Sequence, residues 1–422
     1  MAILIRGAQV IDGSSSYHLK TVDILVDKGR IIEIGKSLKT TTKKIIEAKG
    51  LCVSPGWVDI FADYCEPGYE HKETIQSGLR AAAAGGFTEV FVAPDTEPAM
   101  STKAQVKFVL GQAEGNIVRT HPIGSVSHNK EGKSLAEMLD MQSAGAIAFS
   151  DGWKPVQQTN LMLKALEYVK SFDGTLIQIP QDASLAAGGL MHEGPESTRL
   201  GMPGIPAIAE TIALHKDIEL LRYTGSRLHV TGISSAESVD MIRKAKKEGL
   251  NISCSVTPYH LVLNDEIMRT YDAAYKVTPP IRSELDRKAL VKGLKDGTID
   301  CIASHHHPQD WDAKTKEFDY AASGMNLQES VFPVIWNTLS EQVPAERIAD
   351  ALGARARVLF GLEPASVEKN HPVNLTLFST SMETITERPV SKSANNPFIG
   401  QKLNGTVIGI MRGEQISLTH KK

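Results

Sequence analysis

The chain reads as an α/β protein, a (β/α)8 barrel of the TIM type carrying a small β-sandwich lobe built from both chain termini. Three observations predict this. Strand-like runs crowd the first and the last fifty residues, strand and helix patterns alternate through the middle, and the intervals of that alternation fit parallel βα units. The expected division is residues 1–54 plus 365–422 for the lobe and 55–364 for the barrel.

The elements follow in order. At the start, ILIRGAQVID, VDILVDKGRIIEIG and KKIIEAKGLCVSPG read as short strands separated by Asp-Gly and Lys-Gly turn signals. The middle then alternates: TIQSGLRAAAAGG, TEVFVAPD, AGAIAFSD, GTLIQIPQD, RLHVTGIS, SAESVDMIRKAKKEG, LNISCSVTPYH and TIDCIASHHHP. In Ser234 to Gly249, Ser235 is placed to cap a helix, Glu237 lies in its first turn, Val239 and Ile242 share a face, and Gly249 stops it. The Lys-Lys-Glu cluster of that helix is a solvated outer face. At the end, VNLTLFST and LNGTVIGIMRGEQISL return to strand, with a hairpin expected at Asn404-Gly405. Barrels of this type place working residues at the C-terminal ends of strands. That rule singles out Asp63, Asp95, Asp151, Ile179, Gly232 and His305.

Composition narrows the class of function. With 422 residues, 41% hydrophobic and 23% charged, the chain is long enough for one large core and an accessory lobe. Its 46 Lys+Arg against 49 Asp+Glu leave a charge of -3, which argues against nucleic acid or an anionic membrane as partner. The apolar run in MAILIRGAQVIDG is too short for a signal peptide, and no stretch approaches the roughly 20 apolar residues that span a bilayer, so a cytoplasmic protein is expected. Cys52, Cys65, Cys254 and Cys301 form no C-x-x-C pair; those at 52, 254 and 301 read as buried small hydrophobes. The pairs Gly85-Gly86 and Gly188-Gly189 lack phosphate-loop spacing and read as turns.

Nearly the whole chain resembles dihydroorotase of the long bacterial type, within the cyclic amidohydrolases of the amidohydrolase superfamily. The resemblance is carried by SPGWVDIFADYCEPGYEHKETIQSG, AAGGFTEVFVAPDTEPA, GAIAFSDGWKPV, QDASLAAGGLMHEG, VTPYHLVLND, KVTPPIRS, DCIASHHHP and NNPFIG. It implies hydrolysis of the ring amide of dihydroorotate at a metal centre, or the reverse cyclisation of carbamoyl aspartate. The residues that stand at the family's positions are, however, mostly changed. The two metal-binding histidines after the first barrel strand correspond to Phe61 and Asp63, two later histidines to Ile179 and Gly232, and the aspartate acting as ligand and general base to His305. Asp151 alone keeps its expected residue. At the substrate positions an arginine is replaced by Cys65, asparagines by Asp95 and Thr278, and a histidine by Gln309.

Two readings of Asp63, Asp151 and His305 remain open at this point. They could hold a single zinc at the barrel mouth, with His305 also at the general-base position. Alternatively no cofactor binds, and His305 supplies positive charge to Asp63 and Asp151 in a hydrogen-bonded network. His306 retains a family position. His307 and His192 read as loop surface, His229 and His260 as structural histidines, and Cys65 as an inert thiol without a triad partner. The expectation is a dihydroorotase-like protein of pyrimidine biosynthesis that is catalytically inactive, a homo-oligomer acting as a structural partner of aspartate transcarbamoylase. The alternative is an active cyclic-amide hydrolase, dihydroorotase or hydantoinase-like, with a rebuilt mononuclear zinc site.

Overall fold

The computed structural model describes residues 2–42 and 44–419. Its centre is a parallel sheet whose eight strands follow one another in chain order: β1 Trp57–Ala62, β2 Phe87–Val92, β3 Arg119–Gly124, β4 Ala148–Phe149, β5 Leu176–Gln178, β6 Leu228–Val230, β7 Ile252–Val256 and β8 Cys301–Ile302. Almost every residue in them is buried, as a parallel sheet covered on both faces requires. The sheet closes on itself just beyond β8. Ala62 bridges His306 in parallel, and the Asp63 amide donates to the His306 carbonyl at 2.8 Å. Inside this seam the Asp59 carboxylate of β1 accepts from the Ser304 amide at 3.0 Å and from Gln328 Nε2 at 2.6 Å.

The helix at Ala236–Lys247 forms as its pattern predicts. The Ser235 hydroxyl accepts from the Ser238 amide, and Val239, Ile242 and Ala245 face inward. Trp57 opens β1 with its indole donating to Ser54 Oγ at 3.0 Å and its ring packed on Phe87, Phe332 and Phe378. All four cysteines are free and buried. Among the described residues no helix is long and apolar enough to cross a membrane.

Both chain ends build one hydrogen-bonded sheet of eight strands. Ile3–Val10, Thr21–Asp27, Arg30–Gly35, Ile45–Ile46 and Leu51–Pro55 come from the start, and Asn374–Ile385, Lys402–Arg412 and Gln415–Leu418 from the end. Leu51–Pro55 pairs antiparallel with Asn374–Ile385, so the sheet needs both. Ile5, Val10, Ile24, Val53, Leu375 and Leu377 form the middle of its core.

Asn404-Gly405 is not the hairpin. It lies within Lys402–Arg412, and the turn comes instead at Gly413, between the paired residues Arg412 and Gln415. Gly405 serves packing: its φ is +87°, and a Cβ there would stand 2.7 Å from Trp336 Cδ1 of the helix Val331–Leu339. The pairing with Asn374–Ile385 shifts register between Ser379 and Glu383, beside this point. The turn-like dipeptide therefore marks a bulged strand under a bulky ring.

Candidate functional site

At the C-terminal mouth of the barrel the ends of β1, β5, β6 and β8 bring together Phe61, Ile179, Gly232 and His305, the first three of which have no side-chain atom able to coordinate a cation. Phe61 is fully buried and joins Ile177, Ile179 and Phe91 in one apolar cluster. Its ring lies 5.0 Å from that of His305 and 5.3 Å from that of Trp153, and Trp153 in turn stands edge-on to His305 at 5.1 Å. His305 thus sits between two aromatic rings. Its Nε2 shares a 2.8 Å hydrogen bond with Thr231 Oγ1, and its buried Nδ1 has no partner among the described residues. Gly232 makes room for it: a Cβ at that position would meet His305 Cε1 at 2.5 Å. Burial, reinforced by the nearby His260, His307 and His229, holds the His305 imidazole well below the ordinary histidine range. That direction opposes the expected imidazolium facing Asp63 and Asp151.

Asp151 is consumed by the chain that follows β3. One carboxylate oxygen accepts from the Val126 and Ser127 amides, both at 2.9 Å, and the other from Ser127 Oγ at 2.5 Å. Burial raises its carboxyl above the usual range despite these donors. Asp63 accepts from the Cys65 amide at 2.8 Å, and its other oxygen lies 3.8 Å from His307 Nε2. Burial first, and the neighbouring Asp95 second, push the Asp63 carboxyl up to about 7. Asp95 is ion-paired with Lys130, which supplies the positive charge that had been assigned to His305.

A metal ion of the kind implied by the resemblance does not fit these residues. Asp63, Asp151 and His305 are not brought together as a ligand set, and among the described residues no three His, Cys, Asp or Glu side chains form a group able to hold one. The side chains of Phe61, Ile179 and Gly232 offer no ligand atoms, Asp151 already accepts three hydrogen bonds, and His305 Nε2 is bonded to Thr231.

What remains open is a cavity of about 260 Å³ beside this plug, walled by Asp63, Cys65, Asp95, Lys130, Trp153 and His307 among others. Of the residues singled out at substrate positions, Cys65 and Asp95 line it, whereas Thr278 does not. Cys65 is buried, and burial together with Asp63 holds its thiol well above the ordinary range, as an inert thiol requires. Gln309 does not line the cavity but stands behind its wall, with Nε2 3.2 Å from His307 Nε2 and donating to the Ser323 carbonyl at 2.9 Å.

The other histidines sort by their partners. His229 bridges Ser253 and Ser255, and His260 bonds Thr257 and the Pro280 carbonyl, so both are structural. His306 is buried 3.4 Å from Glu73. Two were misplaced by sequence pattern. His307 is no loop-surface residue, since it stacks on Trp153 at 4.3 Å and 6° between planes. His192 is half-buried, with Nδ1 at 3.2 Å from Arg282 Nη1, and burial and that guanidinium hold it down at about 4. Ser127, Lys130, Trp153 and Thr231 carry the arrangement yet were missed. Trp153 stood two residues after Asp151 in the AFSDGW segment, and Lys130 in SHNK just after β3; their positions along the chain were the available signals.

A family model described as dihydro-orotase-like matches residues 50–238. The chain is 38% identical over 410 residues to a dihydroorotase of Acetivibrio thermocellus, covering 96% of each chain. It is 41% identical over 416 residues to a dihydroorotase of Leifsonia xyli subsp. xyli, covering 96% of this chain and 93% of that one. Among solved structures, the L-hydantoinase (dihydropyrimidinase) of Arthrobacter aurescens has a TM-score of 0.84 at 21% identity, over 98% of this chain and 95% of its own. A dihydropyrimidinase of Brevibacillus agri gives 0.81 at 21% identity, over 99% and 95%. These last two are likenesses of fold. With identities of this size sustained along nearly its full length, the chain belongs to the dihydroorotase-like family of the amidohydrolase superfamily.

Proposed function

We propose that this chain is a non-catalytic member of its family, a cytoplasmic protein of pyrimidine biosynthesis that serves as a structural partner of aspartate transcarbamoylase. The observation that carries the loss of catalysis is the plug of Phe61, His305 and Trp153 at the barrel mouth. Hydrolysis of a cyclic amide needs an activated water and a group to take its proton. Here the position of the general base holds an imidazole bonded to Thr231, and aromatic rings occupy the space beside it. Each missing function is worth several orders of magnitude in rate. The anionic substrate would also meet Asp95 where the family offers an amide, and Cys65 where it offers a guanidinium.

The partnership rests on the family relationship and on a fold that survives intact around the altered mouth. Two measurements test the reading. Elemental analysis of protein purified without chelator should find no stoichiometric zinc, and zinc that disappears in Asp151→Ala would overturn the non-catalytic assignment. Affinity capture should recover aspartate transcarbamoylase from the native cell. Failure of capture, together with normal transcarbamoylase assembly in a deletion strain, would remove the partnership.

A further inference from the structure

A second cavity, of about 430 Å³, lies outside the mouth and shares no lining residue with it. Its walls include His71, Asp272, Asp310, Trp311, Lys314 and Lys392. Trp311 is 75% exposed and forms an open aromatic edge. Lys314 Nζ donates to the Ala273 carbonyl at 2.7 Å and lies 3.4 Å from that of Lys276. Behind it, the buried Lys276 amine donates to the carbonyls of Phe318 at 2.7 Å and Asp319 at 3.0 Å and sits over the Phe318 ring. Among the described residues, the hydrogen bonds of both amines go to backbone carbonyls, and neither pairs with a carboxylate. A desolvated lysine near a second cationic group is the arrangement that turns an ammonium into a nucleophilic amine, and Lys314 is one of the residues that line this cavity.

We propose that Lys314 is a nucleophilic amine that condenses with a small aldehyde or ketone, preferentially an aromatic one, entering the cavity beside Trp311. The Lys314 nitrogen lone pair attacks the carbonyl carbon and forms the C–N bond. The carbonyl oxygen receives the two nitrogen protons in succession and leaves as water as the C–O bond breaks and the C=N bond forms, so an imine remains, with no oxidant or reductant involved. His71 and Asp272 stand in the same wall to carry these protons. Burial, then the charge of Lys276, pushes the Lys314 ammonium down to about 7, against the opposing pull of Asp272. Lys392 and Asp310 are the other charged groups of the cavity wall. At pH 7 such an amine is about half in its free form, on the order of a thousandfold more than an ordinary lysine.

The test is reductive trapping on the full-length protein. Pyridoxal and sodium cyanoborohydride are added at pH 7, and the modified lysines are mapped by peptide mass spectrometry. Lys314 should be labelled at least ~10-fold faster than the exposed Lys133, allowing for the lower nucleophilicity of a less basic amine. Lys314→Arg should remove the fast phase. Lys276→Met should slow labelling of Lys314 at pH 7 several-fold and restore it at pH 9, because the amine regains its proton when the neighbouring charge is gone. Labelling of Lys314 no faster than Lys133, or a rate indifferent to Lys276→Met in a variant of unchanged melting temperature, would overturn the proposal.

Discussion

Gly232 and His305 occupy one space. Any side chain at 232 would collide with the His305 ring and would also have to adopt a φ of +70°. Gly232→Ala is therefore expected to cost about 1–3 kcal/mol in urea unfolding. Adding His305→Ala should recover part of that, a coupling that a double-mutant cycle reads directly. Asp151→Ala strips the partners from two buried amides and a hydroxyl and should cost about 2–4 kcal/mol, with no change in metal content. The titration of Asp63 gives a test of sign. Its folded value of about 7 lies above the ordinary 3.8, so its favourable contribution is complete below pH 3.8 and is lost as pH rises through 7. Unfolding measured from pH 4 to 8 should show this loss, amounting to a few kcal/mol at most. The loss should be absent in Asp63→Asn.

At the scale of elements, the lower part of β2 holds the barrel to the lobe. The Glu89 carboxylate binds Arg357 and accepts from His121 Nε2 at 2.7 Å, Asn374 of the lobe donates to it at 3.3 Å, and Arg357 also reaches the Gly56 carbonyl at 2.9 Å. Burial alone would raise the Glu89 carboxyl, but His121 and Arg357 outweigh it and hold it at about 2. Glu89→Gln leaves a buried guanidinium without its charge partner and is expected to destabilise the fold by about 3–5 kcal/mol. The wild type should lose this contribution as pH falls from 4.5 through 2, which acid unfolding of the two proteins side by side would reveal. The strands and their order were legible because apolar runs and helical patterns alternate along the chain. So were the strand-end positions from Asp63 to His305. What the pattern could not reveal was how loops return to the mouth. Ser127 caps Asp151 through a loop bend, Thr231 bonds His305 Nε2, and His307 stacks on a tryptophan remote in sequence. Asn404-Gly405 misled for a related reason, since a local turn signal was overridden by the packing of Trp336.

Across the whole molecule, the seam that closes the barrel runs directly beside the mouth, where Ala62 bridges His306 and the Asp63 amide donates to the His306 carbonyl. Closure of the barrel depends on Asp59, Ser304 and Gln328, and the apolar packing beneath it on Trp57, Phe332 and Phe378. Both sets of contacts are intact around Phe61, Asp63 and His305. Under the proposal above, the barrel serves as a folded body that works through its surfaces. The most direct measurement is dihydroorotate turnover by the purified full-length chain, with and without added stoichiometric zinc, alongside Asp151→Ala. We expect no turnover above buffer in any of these samples; zinc-dependent hydrolysis that Asp151→Ala abolishes would contradict the non-catalytic assignment.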